Sequence, residues 1–182
     1  MTCIVAITDG KRIVMGGDSA ASTTDNPEIY SFSISKVFAK GEYLVGICGS
    51  YRAGQIARWK MEWPEPPAPG ADLEEFMVRE VVEAIHRSLV DAHFAGPTEG
   101  SRAAQFMIGL RGHLFTTAGD FTVGSQNISW QAIGSGRHHA YGALHALADF
   151  DLDLEDKVRR ALGAAQSHIS NVREPFHLLS TG

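Results

Sequence analysis

Cysteine is scarce in this sequence: Cys3 and Cys48 are the only two among 182 residues, and neither lies in a CxxC pair. Two isolated thiols are too few for a disulfide framework and too few for a thiolate metal site. We therefore expect both cysteines to be reduced and buried.

Long apolar runs and basic clusters are lacking as well. No apolar stretch approaches the roughly 20 residues that a membrane-spanning helix needs, and the chain does not open with a basic segment followed by an apolar signal core. The formal net charge is -5, and the lysines and arginines are scattered along the chain. These features predict a cytoplasmic protein that binds neither membranes nor nucleic acids.

Motifs for metals and nucleotides are also missing. The glycines form neither GxxxxGK[ST] nor GxGxxG, and the eight histidines include no HExxH. His138 and His139 are adjacent, so their rings would diverge on a helix and could not share a metal ion. We expect no metal and no cofactor.

What is present is the composition of an ordinary soluble globule, with 44% hydrophobic and 20% charged residues. A chain of this length fits one domain, covering residues 1–182. Residues 2–8 are rich in β-branched side chains, a turn at Asp9-Gly10 follows, and residues from Arg12 resume a strand. Segment 22–35 is polar and is interpreted as a connection, after which residues 36–40 and 43–50 predict a second strand pair.

Helices and strands alternate in blocks along the rest of the chain. Ser50 is expected to cap a helix that runs to about Trp63, and Asp72 to start a helix of about six turns. Three further strands (105–110, 113–118, 128–134), two helices (138–149, 154–172) and a last strand (176–181) follow. Two facing sheets, each covered by a helix pair, would bury every apolar stripe, which predicts an α+β, four-layer αββα sandwich. A three-layer α/β arrangement also fits the pattern.

Thr2 stands directly after the initiator methionine. If Met1 is removed, this residue holds a hydroxyl and a free α-amine together. An α-amine with an ordinary pKa near 8 can take the hydroxyl proton, so an N-terminal threonine can serve as a nucleophile. Many chains begin Met-Thr, however, and the position alone does not establish this role.

Other motifs strengthen that interpretation, namely GGDS at residues 16–19, SKVF at 35–38, LVGICGS at 44–50 and QAIGSG at 131–136. With these the sequence resembles the proteasome β-subunits and the bacterial peptidase HslV, which are N-terminal nucleophile hydrolases. The helix after the IGSG loop and residues 154–166 are similar to that family too. The resemblance implies the same αββα fold.

The resemblance also implies roles for individual residues. Thr2 matches the nucleophile, Asp18 the acidic residue and Lys36 the lysine beside the hydroxyl. An ammonium near Thr2 would favour deprotonation of the hydroxyl, and Asp18 would keep the lysine charged and oriented. Gly46 matches the glycine whose amide stabilises the oxyanion, and Ser135 the serine near the threonine amine.

By the same positional match, Ala21, Ile34 and Cys48 would edge the substrate pocket. These residues are small or apolar, so we expect cleavage after hydrophobic residues. One departure concerns residues 167–172 (SHISNV), where the family has an acid-and-serine pair and this chain has no aspartate. Ser167, Ser170 and Asn171 are the available hydrogen-bonding substitutes.

The resemblance therefore implies a threonine-type endopeptidase that cleaves unfolded polypeptides inside a self-associated ring and uses no cofactor. It leaves open an ATP-dependent unfoldase as a partner. Two alternatives remain at this stage. The first is an inactive ring or scaffold subunit, which retention of Met1 or the absent aspartate would favour. The second is a small-amide hydrolase on the same fold, which needs an open, monomeric site.

Overall fold

The computed structural model describes residues 2–23, 26–31, 33–94, 104–125 and 127–181. The strands are β1 (Cys3–Thr8), β2 (Ile13–Gly17), β3 (Ala20–Thr23), β4 (Asn26–Ser31), β5 (Val37–Lys40), β6 (Tyr43–Gly49), β7 (Ala104–Leu110), β8 (His113–Thr117), β9 (Val123–Ser125), β10 (Trp130–Gly134) and β11 (His177–Ser180). The helices are α1 (Tyr51–Trp59), α2 (Leu73–Phe76), α3 (Val82–Asp91), α4 (Arg137–Ala146) and α5 (Leu154–His168). A π-helical turn (Met77–Val81) joins α2 to α3. None of the helices in these ranges is long and apolar enough to cross a membrane.

The strands form two main sheets and one small hairpin. Sheet 1 has the order β10-β1-β2-β11, sheet 2 has the order β5-β6-β7-β8-β9, and β3 pairs only with β4. Every strand pair in the described residues is antiparallel. This pattern excludes the three-layer α/β alternative, which requires a mostly parallel sheet.

Three apolar clusters show how the layers pack. Helices α4 and α5 cover the outer face of sheet 1, where Leu162 packs in one cluster with Val5. The helical segments α1 to α3 cover the outer face of sheet 2, where Ile56 packs in one cluster with Phe106. A third cluster lies between the sheets and includes Ile4 and its neighbours from both sheets. The four-layer αββα sandwich is therefore confirmed.

Several elements differ from the sequence prediction: β9 was not predicted, α4 ends at Ala146 rather than at residue 149, and three further differences have identifiable contacts. Helix α1 ends at Trp59 rather than Trp63, because the amides of Lys60 and Met61 both donate to the Ile56 carbonyl at 2.9 Å. The Trp63 indole N–H caps the last turn by donating to the Ala57 carbonyl at 2.8 Å. Segment 22–35 contributes to the β3–β4 hairpin, and α5 ends at His168, where Ile169 adopts an extended conformation. The predicted Ser50 cap is present, since its hydroxyl accepts from the amides of Arg52 and Ala53.

The strand pairing brings the predicted site residues to one end of the sandwich. In sheet 1, Cys3 lies opposite Gly134 and Ile4 lies opposite Gly17. Thr2, Asp18 and Ser135 are the next residues outward from these pairs, so they share one edge. In sheet 2, Val37 lies opposite Gly46, and Lys36 is the residue before Val37. Lys36 therefore approaches the same edge from the facing sheet.

Candidate active site

Thr2 lies at a cleft between the end of β6, the start of α1 and the segment that leads into β5. The cleft is partly open: about 360 Å³ of its space is not filled by atoms, a figure that includes open solvent at its mouth. Lys36, Gly49 and Ser50 line it together with Thr2. The Thr2 residue is only 4% exposed. A nucleophile at this position would meet a substrate through the cleft and would otherwise be shielded from water.

Asp18 and Lys36 form a buried ion pair beside Thr2. The Lys36 Nζ donates to the Asp18 Oδ1 at 2.8 Å, and both side chains are at most 3% exposed. The same carboxylate accepts from the Cys3 amide at 2.9 Å and from the Ala20 amide at 3.1 Å. Charged acceptors with several short hydrogen bonds are held in one orientation. Asp18 therefore fixes the lysine and ties it to the backbone next to Thr2.

Burial lowers the pKa of Lys36, and the Asp18 charge opposes this shift. Removing water from around an ammonium disfavours its charged form, whereas a carboxylate at hydrogen-bond distance favours it. The net direction is downward because the effect of burial exceeds the opposing effect of Asp18. Such an ammonium can stabilise negative charge that develops on a neighbouring hydroxyl.

The main chain of Thr2 is anchored by the loop after β10. Its backbone nitrogen donates to the Ser135 Oγ at 3.3 Å, and its carbonyl oxygen accepts from the Ser135 hydroxyl and from the Gly136 amide, each at 3.3 Å. Gly134 has a φ of +93°, in the left-handed region that favours glycine. A Cβ at this position would overlap the Thr2 carbonyl. Only a glycine allows the loop to approach Thr2 this closely.

The structure does not bring Gly46 to the cleft. The α-hydrogens of Gly46 face the space between the sheets, where a Cβ would overlap Ile4, and Gly46 is not among the cleft-lining residues of the described chain. Gly49, three residues later, lines the cleft and has a φ of +94°. The Ile47 amide donates to the Lys36 carbonyl at 3.0 Å, and amides two residues apart in a strand point to the same edge. The Gly49 amide is therefore directed to the same edge of β6 as the Ile47 amide, the edge along which the segment leading into β5 runs.

Two of the three residues predicted to edge a substrate pocket line the cleft. Ile34 and Cys48 line the cleft, whereas Ala21 is buried and is not among the cleft-lining residues of the described chain. The sequence interpretation also missed further cleft residues. These are Ser35, Phe38, Ile47, Tyr51, Gly54, Gln55 and Arg58. Four of them recur at spacings of three and four on α1, so the helical period, applied to a helix that starts at Ser50, is the signal that could have found them.

Residues 167–172, where the family has an acid-and-serine pair, form local hydrogen bonds and lead to Arg173. The Ser167 hydroxyl donates to the Gly163 carbonyl at 3.0 Å, and the Ser170 hydroxyl donates to the Asn171 Oδ1 at 3.0 Å. Just after this segment, the Arg173 amide approaches the Asp18 Oδ2 at 3.5 Å. The chain after α5 thus contacts the ion pair through its backbone.

Both cysteines are buried free thiols near the cleft. Burial, with the Asp18 charge, raises the pKa of Cys3 to about 12, and burial raises the pKa of Cys48 to about 11. Because the thiolate is the reactive form, these values leave roughly 1000-fold and 100-fold less thiolate than a free thiol at about pH 8. Neither thiol is suited to act as a nucleophile.

Because folding raises the pKa of both thiols, their protonated forms contribute to the free energy of unfolding. This contribution is complete below the unfolded pKa of 9.0 and declines as the pH rises towards 11 to 12.

We expect the folded protein to resist alkylation at about pH 8 and to take up two labels once it is denatured. Intact mass after iodoacetamide treatment, with and without denaturant, measures the labelling. Rapid stoichiometric labelling of the native protein would contradict this expectation, and Cys48→Ala identifies the thiol responsible.

Within the described residues, no group of three or more histidine, cysteine or acidic side chains is placed to hold a metal ion. Met1, whose removal the threonine mechanism requires, lies outside the described residues.

No protein-family model matches this chain, but several solved structures share its fold. BPH of Thiobacillus denitrificans, solved in complex with epoxomicin, has a TM-score of 0.81 at 21% identity, covering 99% of this chain and 98% of that one. Eukaryotic HslV from Trypanosoma brucei has a TM-score of 0.70 at 21% identity, covering 98% of each chain. Anbu from Yersinia bercovieri, described as an ancestral β-subunit, has a TM-score of 0.66 at 13% identity, covering 99% of this chain and 81% of that one. The chain therefore shares the fold of these three proteins, in agreement with the fold that its sequence resemblance implies.

Proposed function

We propose that this protein is a threonine-type peptidase whose nucleophile is the Thr2 hydroxyl after removal of Met1. The observation that carries the proposal is the convergence of three groups on Thr2. The residue shares a cleft with Lys36, which Asp18 holds at 2.8 Å, and its backbone nitrogen contacts the Ser135 hydroxyl at 3.3 Å. These are the groups that an N-terminal nucleophile needs: a charge to favour the alkoxide and a hydroxyl beside the amine.

In the proposed reaction, the Thr2 hydroxyl attacks the carbonyl carbon of a peptide bond while the α-amine takes the hydroxyl proton. The C–N bond breaks, the proton passes to the leaving amine, and an ester joins the substrate's acyl group to Thr2. Water then attacks this ester, again losing a proton to the α-amine, and releases a carboxylic acid and the free hydroxyl. The Ser135 hydroxyl positions the amine through both proton transfers.

The oxyanion role passes from Gly46 to Gly49 in this proposal. A tetrahedral intermediate at Thr2 places negative charge in the cleft, which Gly49 and Lys36 both line. A donor aimed at such a charge contributes several kcal/mol, typically about 2.7–4 for a single oxyanion group. Gly46, packed against Ile4, serves the contact between the sheets instead.

The proposal extends to the substrates and to the assembly of the protein. We propose that unfolded polypeptides are cut inside a ring of identical subunits in the cytoplasm, since the fold is that of HslV and related β-subunits. In the segment where the family has an aspartate, Ser167 donates to the Gly163 carbonyl and Ser170 donates to the Asn171 Oδ1. The Arg173 amide donates to the Asp18 carboxylate. We therefore propose that the chain after α5 stabilises the active site through the Asp18–Lys36 ion pair. An ATP-dependent unfoldase remains a candidate partner.

The proposal is tested by intact mass of the purified protein before and after treatment with a threonine-directed covalent peptide inhibitor. The expected result is a chain without Met1 that gains one adduct, and a Thr2→Ala variant that gains none. Retained Met1 with no adduct would contradict the proposal and support an inactive ring subunit. Size-exclusion chromatography with light scattering adds the assembly state, because an active monomer would support the small-amide hydrolase instead.

A further inference from the structure

Arg58 is a second cation at the cleft, and the proposed mechanism does not use it. It lies on α1 seven residues after Tyr51, which is about 10 Å along the helix axis, and both residues line the cleft with Thr2. Its Nη1 donates to the Ser35 carbonyl at 3.3 Å, and its guanidinium lies 5.2 Å from the centre of the Phe38 ring. The head group therefore reaches back from the helix to the wall formed by Ser35 and Phe38.

The charge of Arg58 has no carboxylate partner in the described part of the chain. The ion pairs found there involve Lys36 and three other arginines, and none involves Arg58. Its contacts are one carbonyl and the faces of two aromatic rings, those of Phe38 and Trp59. Burial accordingly lowers the pKa of Arg58. A partly desolvated guanidinium has five N–H donors, and one carbonyl leaves most of them available.

The other lysine or arginine at the described cleft has a carboxylate partner. Lys36 is paired with Asp18 at 2.8 Å, so Arg58 is the cationic side chain of the described cleft that has no such partner. No residue that lines the described cleft carries a carboxylate. The cleft lining includes the apolar side chains of Ile34, Phe38 and Ile47, beside polar ones such as Ser35, Ser50 and Gln55. The cleft thus combines apolar walls with the cation of Arg58.

We propose that Arg58 selects an acidic side chain, glutamate above all, in the residue immediately before the bond that is cut. This inference rests on the proposed function, because the residue whose carbonyl meets Thr2 is the one whose side chain enters the adjoining cleft. Glutamate matches the cleft in two ways: its methylenes contact the apolar walls, and its carboxylate can accept two parallel N–H bonds from a guanidinium. It replaces the expectation of a purely hydrophobic preference that Ile34 and Cys48 suggested.

Three fluorogenic peptides that differ only in their last residue, Glu, Gln or Leu, test the inference. Glutamate and glutamine have the same shape, so the ratio of their kcat/KM values isolates the charge. We expect the ratio to favour glutamate at least about tenfold, as a charge-assisted pair implies. Arg58→Met, which keeps an unbranched side chain without the charge, is expected to bring the ratio to about one, and Arg58→Lys to retain part of it.

The matched control is Arg52→Met, because Arg52 lies exposed on the same helix and is not among the residues that line the cleft. This variant removes one charge from α1 and should leave the Glu/Gln ratio unchanged. A merely structural role of Arg58 would lower the rates for all three peptides together, and thermal unfolding would report it. If Arg58→Met does not fold, the ratio in the unmodified protein still tests the acidic preference, and the reduced ratio expected of Arg58→Lys assigns it to Arg58.

The outcomes separate this inference from the function on which it rests. Thr2-dependent cleavage of the Leu and Gln peptides with a Glu/Gln ratio at or below one overturns the acidic preference and leaves the peptidase intact. A ratio that stays high in Arg58→Met also overturns it, because the charge would then come from elsewhere. If no peptide is cleaved and no inhibitor adduct forms, the proposed function fails and the preference falls with it.

Discussion

Replacement of Thr2 by alanine is expected to abolish peptide hydrolysis, with kcat reduced at least about a thousandfold. Alanine keeps the α-amine after Met1 removal but has no hydroxyl to attack the carbonyl. The fold should persist, because the contacts that anchor this position run through the main chain to Ser135 and Gly136. Steady-state kinetics on a fluorogenic peptide, with thermal unfolding of the same sample, measure both effects.

Thr2→Ser is the control for this prediction, since it retains the hydroxyl and the amine and should keep measurable turnover. Two other hydroxyls lie close to the same position. Ser50 lines the cleft but caps α1 by accepting from two amides, and Ser135 contacts the Thr2 backbone. Full activity in Thr2→Ala would contradict the proposed nucleophile and direct attention to these serines.

Replacement of Asp18 by alanine should destabilise the protein by about 3–5 kcal/mol and also lower its turnover. The change leaves the Lys36 ammonium buried without its counter-charge, and it removes the acceptor for the Cys3 and Ala20 amides. Unpaired buried groups of this kind are among the costliest results of a single substitution. Urea unfolding monitored by circular dichroism gives the change in the free energy of unfolding.

A double substitution separates stability from catalysis at this pair. Asp18→Asn with Lys36→Met removes both charges and keeps an amide oxygen that can accept from the Cys3 N–H. Replacing a buried pair by neutral groups of similar volume is often neutral or stabilising, so the double variant should be more stable than either single variant. It should nevertheless be inactive, because Thr2 loses the charge beside its hydroxyl. Additive losses of stability would show that the two residues do not act as a pair.

Most helices and strands could be predicted from periodicity because the layers follow the apolar pattern, whereas the choice between four and three layers depended on the family resemblance. Helix α5, for example, buries Val158, Ala161, Leu162 and Ala165 at spacings of three and four against sheet 1. The β3–β4 hairpin escaped prediction because segment 22–35 is polar and its strands pair only with each other. The end of α1 escaped because the Trp63 indole caps it, a tertiary contact that local sequence does not encode.

The site was harder to predict where two candidates lie close together in one strand. LVGICGS contains glycines at positions 46 and 49, and the resemblance alone selected Gly46. The correct choice depends on which glycine packs against sheet 1 and which one lines the cleft. This depends on where β6 ends, which the local sequence does not reveal. Arg58 was missed for a related reason: it lies 22 residues after Lys36 in the sequence, and only the packing of α1 on the strands brings its guanidinium to Ser35.

The anchoring of Thr2 through its own carbonyl has a consequence for how such a nucleophile is switched on. The bonds from Ser135 and Gly136 to that carbonyl, and from the Cys3 amide to Asp18, all lie on the downstream side of the residue. In the proposed mechanism, whatever precedes Thr2 therefore decides only whether its nitrogen is an amide or an amine. A peptide fused ahead of Thr2 would keep this nitrogen as an amide, which cannot take the hydroxyl proton. The chain would then be inactive until a single cleavage exposes the α-amine.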